Sequence, residues 1–355
     1  MQILSSYDKN HTIRALSEAE QALARQILTQ NLAAHASDEL LIITIPEMLE
    51  QEAALWFEVG KSLTKSTELI VISDMTHSGQ EPPVEIIERA RRATLSIFQT
   101  EHSLTHTQAG KAAIQNNGRG ASLPGANYEL IMRSLACDFN PILDLGNQLA
   151  EILRQGTNIS ITSTVGTNLT AKIRTIAVYN DSSLIPAGEL GNLPGGEVFF
   201  APLLDSTEGT LVIDGSIADD ILDEPIVITI KHGRAVAIKG GTAAQNLQKS
   251  LAAAGPLGFS VAEIGIGTNP NAQISPNLLE AEKAYGTVHV AFGNSSAIGG
   301  EINVPVHIDG LVAEPEVRVD GKKILSEKKF NTEFRRWLTS ALAEDTKILD
   351  ELSAR

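Results

Sequence analysis

A histidine and an aspartate two residues apart give the sequence its clearest chemical signal. His307 and Asp309 occur in the apolar segment INVPVHIDGL. In a β-strand, residues i and i+2 point to the same face, so the imidazole and the carboxylate should project together while Ile308 points away. One imidazole and one carboxylate on a common face form half of a site for a divalent metal ion.

Three further side chains that could bind a metal lie earlier in the same half of the chain. His289 alternates with apolar residues in TVHVAFG, Glu263 lies in the apolar run AEIGIGTN, and Glu197 follows two glycines in PGGEVFF. Each has an ordinary alternative, as a polar core residue or a turn carboxylate. A buried carboxylate must nevertheless be protonated, paired or bound to a cation. If these groups converge, a divalent metal satisfies all of them.

The segment LEAEKAYG, just before that histidine, adds groups that could move protons. Glu282 is a candidate general base or a carboxylate supporting the metal ligands. A solvated helix face shared with Glu280 and Lys283 is the more ordinary interpretation of the same residue. Tyr285 lies four residues before the histidine and supplies a phenol hydroxyl.

The first half of the chain predicts the scaffold that precedes these residues. The buried runs 40–46 (LLIITIP) and 68–75 (ELIVISDM) alternate with segments of helical periodicity, such as 16–35 with Ser17 as its N-cap. Strands alternating with helices predict an α/β N-terminal domain with a parallel sheet, which we place at residues 1–155.

The second half has a different pattern, with shorter strands and more frequent turns from Asn158 onward. This pattern predicts an α+β, β-rich C-terminal metal-binding domain over residues 156–355. A polar segment at about 326–353 predicts a closing helix.

Composition limits the partners. The chain has 355 residues and a formal net charge of −15, which repels phosphate backbones and anionic lipid heads. We therefore expect no nucleic acid and no membrane as partners. No apolar run approaches the ~20 residues of a membrane helix, and Met1–Asn10 does not read as a signal peptide. The single cysteine, Cys137, permits no internal disulfide, so a cytoplasmic location is expected.

The ordered series from Glu197 to Asp309 resembles the metal-binding series of the aminopeptidase T and aminopeptidase S family of metallopeptidases. That family has a PTGEVF-type segment, matched here by PGGEVF, then a glutamate in an apolar strand, an HLALG-type segment, matched by HVAFG, and a closing H-x-D. The resemblance covers roughly residues 160–312. It implies an N-terminal α/β domain, a C-terminal metal-binding domain and five metal ligands, namely Glu197, Glu263, His289, His307 and Asp309.

The main function implied by the resemblance is a metal-dependent, aminopeptidase-like hydrolase that cleaves a peptide or amide bond with a metal-activated water. The five ligands would hold two ions of zinc, cobalt or manganese, and Glu282 and Tyr285 are the catalytic candidates. One departure concerns the family's tyrosine seven residues after the histidine, a position that holds Ser296 here.

The chain's size and the region HTQAGKAAIQNNGRGASLPG also resemble a related branch, similar to 2,5-dihydroxypyridine 5,6-dioxygenase, which binds a single iron and opens an aromatic ring. In this alternative one Fe(II) is held by His289, His307, Asp309 and Glu263, while Glu197 is an outer or substrate-facing group. A phenolic substrate would need a basic or hydrogen-bonding partner, and the candidates are His77, His102, His106, Arg119 and Arg174.

A third interpretation is a protein that binds a metal or small ligand without turnover. Across the enzymatic interpretations the expected substrate is a small molecule or a short peptide. By resemblance we expect a homodimer or a larger homo-oligomer.

Overall fold

The structure, a computed structural model, describes residues 1–217 and 222–331. Its α-helices in chain order are α1 (Glu18–Gln26), α2 (Ala54–Leu63), α3 (Val84–Arg92), α4 (Gln108–Ala113), α5 (Tyr128–Ser134), α6 (Phe139–Gln155), α7 (Thr242–Ala253) and α8 (Leu278–Ala281).

The strands alternate with these helices in the first half and dominate the second. They are β1 (Ile3–Asp8), β2 (Glu39–Thr44), β3 (Ser66–Ile72), β4 (Leu95–Gln99), β5 (Arg119–Ser122), β6 (Asn158–Ser163), β7 (Asn168–Lys172), β8 (Val178–Asp181), β9 (Leu190–Asn192), β10 (Glu197–Phe200), β11 (Glu208–Ile213), β12 (Ile226–Lys231), β13 (Arg234–Lys239), β14 (Val261–Gly267), β15 (Val288–Gly293), β16 (His307–Val312), β17 (Pro315–Val319), β18 (Lys322–Ser326) and β19 (Lys329–Phe330).

The chain forms two compact units. The parallel-sheet unit comprises Met1–Phe139 and Asp181–Gly195, and the antiparallel unit comprises Asn140–Asn180 and the described residues of Gly196–Arg355. Relative to the predicted division at residues 155 and 156, the units exchange two segments. Most of α6 lies in the antiparallel unit because Leu149 and Leu153 pack in its core. The segment 181–195 lies in the parallel-sheet unit because β9 pairs with β5. The domain boundary itself stays a prediction.

The parallel-sheet unit confirms the predicted α/β arrangement. Its strands follow the order β1-β3-β2-β4-β5-β9, and neighbouring strands are parallel except β1, which runs antiparallel to β3. In β2 all residues from Leu40 to Thr44 are buried, as expected for a strand covered on both faces. Ser17 caps α1 as predicted and forms a reciprocal capping box with Glu20.

The antiparallel unit confirms the strand-rich second half. Its described strands form an eight-stranded sheet, β13-β12-β11-β7-β6-β17-β18-β19, and a five-stranded sheet, β16-β15-β14-β10-β8. One cluster of buried side chains contains residues of both sheets, such as Leu211 and Ile228 from the larger and Ile264 and Val290 from the smaller. The smaller sheet therefore has one face turned to this core.

The predicted closing helix is wrong in its first residues, because residues 326–331 contain the end of β18 and all of β19, which pair with each other. The rest of that segment lies outside the described residues. Among the described residues, no helix combines the length and the apolarity that crossing a membrane requires.

Candidate metal centre

All five predicted ligands lie on one face of the five-stranded sheet. The pairings Glu263 with Ala291 and Ala291 with Asp309 place these residues on a common face of β14, β15 and β16. Strand alternation then adds the remaining ligands, because His289 is two residues from Ala291 and His307 is two residues from Asp309. Glu197 on β10 pairs with Gly267, which also shares the face of Glu263.

The opposite face of the same sheet is apolar. Ile264 pairs with Val290, and Val288 pairs with Val312, and all four side chains are buried in the core. The period-two pattern of the three strands therefore separates a core face from a polar face. This is the physical reason that a run such as VHVAFG carries a histidine without losing its packing.

Small residues on the polar face give the ligands room. Gly265 pairs with His289, and a Cβ at residue 265 would lie 2.1 Å from both Cε1 and Nε2 of the imidazole. The ring of His289 therefore lies across a position that only glycine permits. Gly196, just before Glu197, has φ +123°, and a Cβ there would lie 2.6 Å from the Cβ of Asn269. The glycines of PGGEVF thus allow β10 to enter the sheet at this point.

Glu197, Glu263 and His289 form the tightest group. Nε2 of His289 lies 3.2 Å from Oε1 of Glu263 and 3.3 Å from Oε2 of Glu197. One ligand atom from each of the three residues lies within 4.8 Å of the other two. Ligands at 2.0–2.2 Å from a common ion are separated by no more than about 4.4 Å, so these three residues surround a space that an ion can enter after small side-chain adjustments.

His307 and Asp309 continue this group from β16. Nε2 of His307 lies 3.4 Å from Oε2 of Glu263 and 3.5 Å from Oδ2 of Asp309. The two oxygens of Glu263 therefore face two different imidazoles. The side chain of His307 is 35% exposed, whereas that of His289 is 1% exposed. The His307 side is thus the open side of the cluster.

A backbone carbonyl orients the imidazole of His307. Its Nδ1 lies 2.6 Å from the carbonyl oxygen of Asn294 and donates a hydrogen bond to it. This bond keeps a proton on Nδ1, so the nitrogen that loses its proton first is Nε2, which faces the carboxylates. The same arrangement orients histidines in metal sites. Sequence analysis did not identify the role of Asn294, because a backbone acceptor leaves no residue-type signal.

A lysine that sequence analysis assigned to a solvated face is buried in the cluster. The side chain of Lys283 is 1% exposed, and its ammonium donates to Oε1 of Glu197 and, at 2.7 Å, to Oε1 of Glu282. Glu282 is 15% exposed and is therefore also not a solvated helix-face residue. Four carboxylates, two imidazoles and one ammonium thus share the site.

The pKa values show how strongly these charges interact. Burial opposes the charge on Glu263, but hydrogen bonds from His289 and His307 outweigh it and lower the pKa to about 2. Burial also opposes protonation of His289, but Glu263 and Glu197 outweigh it and raise the pKa to about 9. The pKa of His307 lies well above its usual value because Asp309 and Glu263 overcome burial. Protons on the two imidazoles therefore balance the carboxylates, and a divalent cation would replace them.

The remaining carboxylates have the opposite shift. Burial raises the pKa of Glu197 to about 8, although the charge of Lys283 opposes this. Burial also raises the pKa of Glu282, again against Lys283. Two atoms of the cluster, Oε2 of Glu197 and Nδ1 of His289, are buried and have no hydrogen-bond partner among the described residues. An excess of buried acceptors and an unsatisfied oxygen fit a divalent metal ion.

The other candidates of the second half have ordinary surroundings. Tyr285 packs edge-to-face on Phe330 with ring centroids 5.0 Å apart, so its catalytic role stays a prediction. Ser296 is exposed and donates from its hydroxyl to Oδ1 of Asn294 at 2.8 Å. Glu280 accepts from the hydroxyl of Ser275 at 3.2 Å.

The candidate substrate partners fall into two groups. Arg174, in the antiparallel unit, forms an ion pair with Glu301. In the parallel-sheet unit, His77 and His106 are exposed and His102 is half-buried. Arg119 is buried there and donates to the carboxylate of Asp38 and to the carbonyl oxygens of residues 32, 33 and 94. These bonds occupy the five guanidinium donors, so Arg119 has none left for a substrate.

The fold and the cluster define a mixed α/β protein with a candidate centre for a divalent metal, built from carboxylates and imidazoles on one sheet face. The family model described as NicX, 2,5-dihydroxypyridine 5,6-dioxygenase, matches residues 86–332. The chain belongs to this family.

Individual relatives agree with that assignment. A 2,5-dihydroxypyridine 5,6-dioxygenase of Pseudomonas putida is 26% identical over 191 residues, which is 49% of this chain and 54% of the relative. The matched region thus spans about half of that relative's length. The solved structure of 2,5-dihydroxypyridine dioxygenase from Pseudomonas putida KT2440 has a TM-score of 0.72 at 17% identity, covering 90% of this chain and 99% of that one.

AmpT from Thermus thermophilus, an aminopeptidase T, has the same general fold, with a TM-score of 0.64 at 15% identity over 89% of this chain and 100% of AmpT. Both branches of the predicted superfamily are therefore confirmed as relatives in fold. The main functional prediction, an aminopeptidase-like hydrolase, is wrong, because the family model and the sequence relative are those of the dioxygenase. The sequence analysis used His289, His307, Asp309 and Glu263 as ligands in both interpretations, so these residues did not distinguish the two reactions.

Proposed function

We propose that this chain is an Fe(II)-dependent dioxygenase that opens the ring of a hydroxylated aromatic substrate of the 2,5-dihydroxypyridine type. The observation that carries the proposal is the set His289, His307 and Asp309 on one face of the sheet, in a chain of the dioxygenase family. Two histidines and one carboxylate with open positions are the ligand set typical of non-haem Fe(II) oxygenases. Glu263, between the two imidazoles, is the proposed fourth ligand.

The two histidines of the cluster would have different roles because they differ in exposure to solvent. His289 is buried and fixed against Gly265, so it would hold the ion on the buried side of the cluster. His307 is on the open side, where a substrate can approach. Bound Fe(II) would supply the redox chemistry with O2 that ring opening requires. The protein contributes a buried polar surface on which the hydroxyl groups of a small aromatic ring can form hydrogen bonds.

Glu282 is our candidate for accepting a proton from a substrate hydroxyl. Its carboxylate is slightly exposed beside the buried Lys283, and burial raises its pKa, which makes it a better base than an exposed glutamate. Tyr285 is a weaker candidate, because its ring packs on Phe330.

The test is oxygen consumption by protein loaded with Fe(II) under anaerobic conditions. With 2,5-dihydroxypyridine, we expect about one O2 consumed per ring opened, with loss of the aromatic absorbance. His307→Ala should reduce the rate by at least about 100-fold, because removing even supporting partners of a metal typically costs 10–100-fold. The control is His232→Asn in the same unit, where the histidine is 86% exposed and has a positive φ that asparagine accepts.

The outcomes separate clearly. Iron-loaded wild-type protein that consumes no O2 with any dihydroxylated pyridine or benzene ring would show that the reaction is not ring cleavage. Full activity in His307→Ala would show that the centre lies elsewhere.

A further inference from the structure

Lys283 is fixed at its position from both sides. Its backbone N–H donates to the carbonyl of Glu280 at 3.0 Å, and its own carbonyl accepts from the N–H of Asn269 at 2.9 Å. The short helix α8 ends two residues earlier, so the chain turns and directs the lysine inward. A side chain that is 1% exposed and is held by its backbone is unlike a mobile surface lysine.

The ammonium changes what Glu197 is able to bind. Oε1 of Glu197 accepts from Lys283, while Oε2 faces Nε2 of His289 at 3.3 Å. A carboxylate that bridges two metal ions gives one oxygen to each ion. Here the ammonium occupies the place of a cation on Oε1, so Glu197 links Lys283 to the cluster instead of linking two metals.

We propose that Lys283 acts as a built-in cation that restricts the centre to one divalent ion. The single ion is held by Glu263, His289, His307 and Asp309, and Glu197 and Glu282 hold the ammonium. Paired ions in two-metal sites lie about 3.5–4 Å apart. A second divalent ion on Glu197 would lie a few ångströms from a buried ammonium, where like charges repel strongly. This inference rests on the proposed metal centre and adds a determinant of its stoichiometry.

The closing experiment measures metal stoichiometry, which is independent of turnover. Mn²⁺ alone is the probe, with bound metal counted by equilibrium dialysis and elemental analysis, and with electron paramagnetic resonance to detect coupled pairs of ions. Wild-type protein should bind about one equivalent with an uncoupled spectrum. Lys283→Met removes the charge and keeps the approximate length, so it should bind about two equivalents and give a coupled spectrum. The control, Lys61→Met, breaks the 2.6 Å ion pair with Glu58 in the other unit and should still bind one.

A second variant keeps the test decisive if Lys283→Met does not fold. Glu197→Gln should retain about one equivalent of Mn²⁺, with affinity within about tenfold of wild type, because Glu197 serves the ammonium and not the ion. Two equivalents in wild-type protein, one in folded Lys283→Met, or loss of the ion in Glu197→Gln would each overturn the inference while leaving a metal centre. No uptake of Mn²⁺ by wild-type protein would overturn the metal centre and the inference together.

Discussion

Each of the two compact units contains a buried cluster of charges, and the two clusters are balanced differently. In the parallel-sheet unit, Arg119 and Asp38 form a buried pair in which the guanidinium donors all have acceptors. The carboxylate of Asp38 accepts further bonds from Thr94 and His35. In the antiparallel unit, four carboxylates share one ammonium and two imidazoles, and Oε2 of Glu197 has no hydrogen-bond partner among the described residues.

From this difference we infer a structural role for the first cluster and a metal-binding role for the second. A guanidinium with all donors satisfied has no hydrogen bond left for a ligand. It joins the first residue of β5 to Asp38, the residue just before β2. A cluster with surplus acceptors is costly for the folded protein until a cation enters it. Perturbed pKa values occur in both clusters, so the incomplete hydrogen bonding is the feature on which we base the proposal of a metal site in the second cluster.

The largest expected effect on stability concerns the complete cluster. Asp38→Asn leaves the Arg119 charge buried without its counter-ion, and removing one partner of a buried pair typically costs about 3–5 kcal/mol. The free energy of unfolding, measured in urea, should fall by that amount. Metal uptake by the folded variant should not change, because the pair belongs to the parallel-sheet unit.

The neighbouring residue supplies the control for this variant. Glu39→Gln removes an exposed ion pair with Lys65 and should change the free energy of unfolding by less than about 1 kcal/mol. If Asp38→Asn costs as little as Glu39→Gln, the pair with Arg119 does not have the structural role that the comparison assigns to it.

The incomplete cluster should show the opposite behaviour, with stability that depends on the ligand. At a free metal concentration 100 times the Kd, binding should raise the free energy of unfolding by about 2.7 kcal/mol. Thermal unfolding with Mn²⁺ and with a chelator measures this difference. It should disappear in His307→Ala and persist in Asp38→Asn. A gain that survives in His307→Ala would place the bound ion outside the cluster.

The polar face of the site could be predicted from the sequence because strand alternation is local. The segments VHVAFG and VHIDGL each place every second residue on one side, which predicted that His307 and Asp309 project together. Whether the faces of neighbouring strands align depends on the pairing register, for example on Ala291 lying opposite Asp309. The tertiary structure sets that register. The motif resemblance, not periodicity, supplied the full set of five predicted ligands.

The inward position of Lys283 could not be predicted in the same way. A Glu-Lys pair after a short helix is usually solvated, and only the packing of the turn after α8 makes it buried. The assignment of residues 181–195 to the parallel-sheet unit could not be predicted either, because it also depends on tertiary structure. Pairing between β5 and β9 joins residues about 70 positions apart, and no local pattern specifies such a partner.

The smallest effect we predict uses the capped end of α1, a charge cluster that is neither fully buried nor incomplete. A hydrogen bond from Arg14, opposed by burial and assisted by Ser17 and Tyr128, lowers the pKa of Glu20 to about 2 from a usual 4.5. A carboxyl group whose pKa is lower in the folded state stabilises the protein fully above its unfolded pKa. That contribution is lost as the pH falls from about 4.5 through about 2. The full change in pKa corresponds to about 3.4 kcal/mol, and solvent screening at the 28% exposed Arg14 reduces this to about 2 kcal/mol.

Glu20→Gln should therefore lower the free energy of unfolding at neutral pH and flatten its dependence on pH in that acid range. Glu18→Gln, at an exposed residue in the same helical turn, should leave the wild-type slope unchanged. Urea titrations at several pH values between 2 and 6 measure both slopes. An unchanged slope in Glu20→Gln would mean that Asp38 and other carboxylates account for the acid sensitivity of the parallel-sheet unit. The capping box would then act through hydrogen bonds alone. That result would sharpen the contrast between clusters of interacting buried charges and clusters that only form hydrogen bonds with backbone N–H groups.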